Sequence, residues 1–286
     1  MANRTNPQLQ AYVVSGIRRG LRGGAETEGR KPLKIFIGYD PREAIAYHVL
    51  CHSILARASG PVSITPIALC NLKGIYTRER HPDQSTDFTF SRFLTPWLSD
   101  YEDVSIFMDS DMLCLTDVYE LAALASSNRY SDVLVVKHNY RPIAENKFLN
   151  QKQTTYPCKN WSSLMVFNGH RMATRRLTPE YVNAASPMDL HQFHWAQDVG
   201  EIPAEYNHLV GEYRPNPHAK IVHYTLGSPC FKKYQHCEFA KEWFQELGKM
   251  TYCDEGIWLK EPEDGDHDIP ERSRTCGARV PEPHRS

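Results

Sequence analysis

The sequence predicts an α/β domain with a central, mostly parallel mixed sheet flanked by helices. Short apolar runs of strand length, the first of them stopping at glycine and an acid, alternate with segments whose apolar residues recur at helical spacing. The chain has 286 residues, 41% of them hydrophobic and 11% aromatic, enough for one large domain with appendages. It contains no internal repeat.

Residues 1–32 carry Gly, Arg, Glu and Asn without a sustained apolar period and read as a flexible leader. The domain then opens on Leu33-Lys34-Ile35-Phe36-Ile37-Gly38, the pattern of a buried parallel strand. Pro41 starts a helix in which Ala44, Ile45, Tyr47, His48, Cys51, Ile54 and Leu55 share one periodicity. A strand at 63–69 completes a βαβ unit. A helix over 90–98, a strand over 104–108, a helix over 117–125 and strands over 133–137, 163–167 and 220–224 follow. The last helix covers 238–250, so the domain spans 33–260, and the Pro- and acid-rich residues 261–286 read as a disordered tail.

Charge is balanced, with 33 Lys+Arg against 34 Asp+Glu, which argues against a nucleic-acid partner. No apolar run reaches the ~18 residues of a membrane span, and Tyr12-Val13-Val14 is too short for a signal peptide. The expectation is a cytoplasmic protein, with Arg18, Arg19 and Arg22 available for peripheral contact with an anionic membrane. None of the eight cysteines forms a C-x-x-C pair, so reduced, structural thiols are expected. A disulfide among Cys230, Cys237 and Cys253 stays open.

Chemistry concentrates in Asp109-Ser110-Asp111, directly after the apolar run Val104–Met108. Ligands of α/β proteins gather at the carboxyl ends of strands. In extended backbone, residues i and i+2 project to one side, so both carboxylates can face one hard cation. Mg²⁺ or Mn²⁺ so held can neutralise a diphosphate leaving group. Apolar residues flank the motif, and unpaired carboxylates there would be costly without a cation or strong hydrogen bonds. The plainer reading is a strand end whose acids are solvated or cap a helix.

Ser91-Arg92-Phe93 and the run VSIFMDSDMLCLTDVYEL resemble the helix and D-x-D segment of family 8 glycosyltransferases, which have the GT-A (Rossmann-like) fold. Gly38-Tyr39-Asp40, the strand ending at Asn168, Gln197-Asp198 and His223-Tyr224-Thr225-Leu226-Gly227-Ser228-Pro229 are similar to further family motifs in the same order. The resemblance covers roughly residues 33–235 and implies a transferase using a nucleotide-diphosphate sugar, UDP-sugar by preference, with Mn²⁺ or Mg²⁺ and with retention. It implies Asp109, Asp111 and His223 as metal ligands. Tyr39, Asp40, Arg92, Ser110 and Gly227 would join Asp109 and Asp111 around the donor, and Gln197 and Asp198 would line the face where the acceptor hydroxyl attacks. The acceptor, a glycan, lipid or protein, would meet Trp161, Trp195 and the loop His191-Gln192-Phe193-His194.

The chain departs from the family pattern in places. Gly227 lies four rather than three residues after His223, and Ser228-Pro229-Cys230 replaces a basic stretch, leaving Lys232 or Lys233 as substitutes for a diphosphate-binding lysine. Ala196 replaces the first acid of the Asp-Gln-Asp loop, and Trp161 replaces a sugar-binding asparagine, with Asn160 beside it. Competing readings are a nucleotide-sugar binding protein without turnover, a sugar nucleotidyltransferase, and a D-x-D phosphohydrolase, whose downstream acids Gly265-Asp266-His267-Asp268 would mimic.

Overall fold

The computed structural model describes residues 31–80, 84–140, 142 and 157–252. Within them the chain runs β1 (Leu33–Gly38), α1 (Ala44–Leu55), β2 (Val62–Ile67), α2 (Thr95–Leu98), β3 (Val104–Met108), β4 (Met112–Cys114), α3 (Tyr119–Ser127) and β5 (Val133–Val135). It continues through β6 (Leu164–Asn168), α4 (Pro179–Ala184), α5 (Pro187–His191), β7 (Val199–Glu201), β8 (His208–Leu209), β9 (Ile221–His223) and α6 (Ala240–Met250). Most of the leader, all of the 261–286 tail, the Arg18–Arg22 cluster, Cys253 and Gly265–Asp268 lie outside the described residues. The six cysteines inside them, Cys230 and Cys237 included, are free thiols.

A six-stranded sheet has the order β2-β1-β3-β6-β5-β7. The β1–β2, β1–β3 and β5–β7 pairs are parallel, and β6 runs antiparallel to both β3 and β5. The expected α/β class with a mixed central sheet is therefore met. Pro66 sits in β2, the edge strand, where a missing N–H is tolerated. Side chains alternate across the sheet as the pleat requires. Ile106, Met108, Leu164 and Val166 pack on one face with Leu50 and Ile54 of α1, while Phe107, Met165 and Phe167 pack on the other with Phe93 and Trp195.

Two expectations differ in detail. Residues 91–94 form a 3-10 turn before the short α2, so the predicted single helix is tighter at its start. The apolar stretch after the D-x-D motif is β4, the edge of a second, three-stranded sheet ordered β4-β9-β8. That small sheet packs through Leu113, Val222 and Tyr224 against Val49 of α1 and Trp243 of α6. Buried Glu246 of α6 joins the two helices through His52 Nδ1 at 2.6 Å and Arg57 Nη2 at 2.8 Å.

Candidate active site

Asp109 follows the last residue of β3, and its N–H donates to Ser163 O at 2.9 Å, extending the β3–β6 ladder by one bond. Ser110 and Asp111 then form a turn instead of continuing extended, and the chain enters β4 at Met112. The two acids still converge, because the small sheet sets their partner. In the antiparallel β4–β9 register Met112 faces His223, and Tyr224 N–H donates to Asp111 O at 2.8 Å. His223 Nε2 thereby lies 3.2 Å from Asp111 Oδ1 and 4.0 Å from Asp109 Oδ2. One ligand atom from each of these three residues falls within 4.8 Å of the others, close enough to share an ion. Two carboxylates and an imidazole suit a divalent cation of the Mn²⁺ kind.

The surroundings prepare each ligand. Asn207 Oδ1 lies 3.0 Å from His223 Nδ1, and Asn207 Nδ2 donates to Ser163 Oγ at 2.8 Å. Ser163 Oγ in turn donates to Asn160 O at 2.7 Å. This chain fixes the Asn207 amide with its oxygen toward the imidazole. Since that oxygen only accepts, Nδ1 carries a proton, and the ring is turned so that Nε2 faces the two acids.

Arg92 stands closer to protein than the sequence implies. Its Nη1 lies 2.7 Å from Asp109 Oδ1 and donates to Ser162 O at 2.9 Å. The guanidinium is buried near the rings of Phe88 and Phe107, with its carbon 5.2 and 5.0 Å from their centres. In this arrangement Nη1 holds Asp109 and anchors the Ser162 carbonyl.

Asp40 is likewise engaged. It is buried, takes bonds from Arg42 Nε, Nη2 and N–H, and accepts the Asp87 N–H at 3.3 Å. Burial alone would raise its pKa, but the Arg42 bonds and charge pull it below the usual carboxylate value. Asp40 thus caps the turn Pro41–Glu43 instead of standing open to a nucleoside. Tyr39 is half-buried with its ring edge-on to Tyr47 at 5.4 Å. Ser110 is wholly buried, under the motif and not in contact with solvent. Gly227 has φ 145°, a value that side-chain-bearing residues rarely adopt, and its N–H donates to Tyr224 O to close the turn after His223. Lys232 and Lys233 are exposed in a 3-10 turn downstream.

The expectation for Gln197 and Asp198 is corrected. They precede β7, which pairs in parallel with β5 from Val199 opposite Val133. Their N–H groups donate to Asp132 Oδ2 at 2.8 and 2.9 Å, just before β5 begins. The carboxyl ends of β3 and β5 face the site, so both residues stand at the opposite end of the sheet. Trp195 is also corrected: it is completely buried against Phe167 and Phe193 and takes no part in an open acceptor surface. His194 is exposed beside Asp189. His191 does approach the site's rim, with Nδ1 2.9 Å from Ser162 Oγ, and burial followed by the Arg92 and Arg78 charges lowers its pKa to about 3.

Sequence reasoning missed Asn207, Glu43 and His138. Glu43 is buried, and its Oε2 has no hydrogen-bond partner among the described residues. Burial, then the charges of Asp111, Asp40 and Asp109, raise its pKa well above the usual carboxylate range. An acid in a turn directly after the first strand was the only signal available for it.

This mixed sheet, with acids at the end of its third strand, defines a protein with the GT-A fold of glycosyltransferases. The WbbM bifunctional glycosyltransferase superposes with a TM-score of 0.51 at 16% identity over 79% of this chain and 51% of that one. GlyE of Streptococcus pneumoniae TIGR4, a glycosyltransferase, superposes with a TM-score of 0.51 at 12% identity over 76% and 60%. The chain therefore spans a little over half the length of these solved proteins. In sequence it belongs to the family of Protein CDI of Arabidopsis thaliana, to which it is 45% identical over 227 residues, 76% of this chain and 87% of that one. No protein-family model matches the chain. No helix among the described residues is long and apolar enough to cross a membrane.

Proposed function

We propose that this protein, through a unit covering residues 33–260, is a family 8-like glycosyltransferase. It would take a nucleotide-diphosphate sugar, UDP-linked by preference, and pass the sugar to a hydroxyl acceptor with retention. The observation that carries the reading is the convergence of Asp109, Asp111 and His223 at the carboxyl end of β3. The GT-A fold supports it. A divalent cation bound there, Mn²⁺ in preference to Mg²⁺ because of the imidazole, supplies positive charge for the departing diphosphate.

The chain's own residues prepare that chemistry. Arg92 fixes Asp109 and offsets one of the two negative charges of the motif. Asn207 holds the Nδ1–H of His223 and so aims Nε2 at the two acids. Buried surroundings strengthen every charge interaction at the site. Retention follows from the family resemblance and is read from the anomeric configuration of the product by NMR.

The test is nucleotide release from a panel of UDP- and GDP-sugars with Mn²⁺, Mg²⁺ or EDTA. Release should require the cation and fall at least about a hundredfold in Asp109→Ala and His223→Ala. Undiminished release by either variant refutes the site. Binding of donor without release, across a broad acceptor panel, would instead make the protein a nucleotide-sugar binder.

A further inference from the structure

His138 lies just beyond β5, at the sheet end that carries Asp109. It is buried, and its Nε2 has no hydrogen-bond partner among the described residues. The rest of the residue is tied down. Nδ1 lies 2.8 Å from Tyr213 Oη, and the backbone oxygen accepts Trp161 Nε1 at 2.9 Å. Trp161 follows Asn160, whose left-handed backbone (φ 62°) directs Nδ2 to Tyr140 Oη at 2.7 Å and to Thr225 Oγ1 at 3.4 Å. Thr225 is two residues past His223, and Asn160 O accepts from Ser163, the hydroxyl that receives the Asn207 amide. His138 is thus built into the network that positions the metal ligand His223.

An orphaned, buried ring nitrogen carries an uncompensated desolvation cost unless a ligand completes it. The ligand's chemistry can be narrowed. Burial, then His223, lowers the His138 pKa to about 3, so the ring is neutral at physiological pH and has no charge to offer a phosphate. Its tautomer depends on whether the Tyr213 hydroxyl donates to Nδ1 or accepts from it. A hydroxyl pairs with Nε2 in both cases, because it donates as well as accepts. The aromatic rings of Tyr140 and Tyr213, centred 6.3 and 5.7 Å from the imidazole, wall the position with apolar surface. One polar contact set among aromatic rings suits a sugar.

We propose that His138 Nε2 hydrogen-bonds a hydroxyl of the sugar being transferred and so determines which donor sugars are accepted. The inference rests on the glycosyltransferase reading above and adds a specificity residue to it. The sugar hangs from the diphosphate, and the diphosphate belongs beside the cation ligands. His138 stands at that same end of the sheet, tied through Trp161 and Asn160 to the loop after His223, and is therefore suited to the sugar's hydroxyls.

The experiment measures UDP and GDP affinity with Mn²⁺, then kcat/KM over UDP-glucose, UDP-galactose, UDP-xylose and UDP-N-acetylglucosamine, for wild type, His138→Gln and His138→Ala. The variants should bind nucleoside diphosphate within about threefold of wild type and lose about 10–100-fold in kcat/KM on the preferred donor. Their ranking of donors should flatten. Tyr213→Phe, which keeps the ring wall and removes the Nδ1 partner, should give a smaller loss in the same direction. The proposal is overturned if the variants keep the wild-type ranking. It is equally overturned if they lose diphosphate binding in step with donor use, which would make His138 a support for His223. A wild type that binds neither nucleotide with Mn²⁺ overturns the glycosyltransferase reading itself, before any variant is measured.

Discussion

Replacing Asn207 with leucine removes the oxygen that holds the proton of His223 on Nδ1, while nearly conserving volume in a fully buried position. Freed from it, the imidazole can carry its proton on Nε2, which lies 3.2 Å from Asp111 Oδ1 and would donate to it. A cation must then displace a hydrogen bond to a charged acceptor, of about 1.5–3 kcal/mol. That converts to roughly a 10–100-fold loss in Mn²⁺ affinity, the range seen when outer partners of metal-binding histidines are removed. Isothermal titration of Mn²⁺ into Asn207→Leu and wild type measures it directly, with circular dichroism to check the fold. Asn207→Asp keeps an acceptor at the same place and should stay within about threefold of wild type or bind more tightly. A folded Asn207→Leu protein with wild-type Mn²⁺ affinity would refute the tautomer argument. So would an equal loss in Asn207→Asp.

Two further perturbations separate structural from functional charge. Arg92→Met leaves the partly buried Asp109 carboxylate without its 2.7 Å partner, and the metal-free protein should lose about 3 kcal/mol, read as a lower midpoint in thermal melts with EDTA. Mn²⁺ should raise that midpoint more in the variant than in wild type, since the ion replaces the missing positive charge; equal shifts would count against the pairing. Glu246→Gln should cost about 2 kcal/mol by cutting the link between α1 and α6, since only one of the three partners is fully buried. Burial alone would raise the Glu246 pKa, but the Arg57 and His52 bonds lower it below its ordinary 4.5. Its contribution is therefore present above about pH 4.5 and fades as the pH falls through the folded-state value. A wild-type protein whose acid sensitivity is unchanged by Glu246→Gln would contradict this.

The parts legible in the sequence are those whose signal is local. The apolar runs at β1, β3 and β6 stand out because each is buried on both faces, and the acids after β3 stand out because they interrupt such a run. What escaped reading depends on long-range pairing. β4 and β8 are three and two residues long, too short for periodicity, and acquire strand geometry only from β9 between them. Gln197-Asp198 has suitable chemistry, but its position follows from the β5–β7 register, which sends it to the far end of the sheet. Arg92 and Asp40 were identifiable as polar groups near the site, yet nothing local reveals that protein partners already engage them. Asn207 lacks any motif; its one clue is a polar residue between the buried Tyr206 and Leu209.

On the proposed reading, the register that seats His223 opposite Met112 would also tie ion binding to the order of assembly. Asp109 and Asp111 belong to the first half of the chain, and the imidazole arrives only when β9 docks on β4, after most of the domain has been synthesised. A chain with its large sheet formed and its small sheet unmade would present two acids and no third ligand. Tight ion capture should therefore mark the end of folding, with the bound ion stabilising the completed topology over every partly paired precursor.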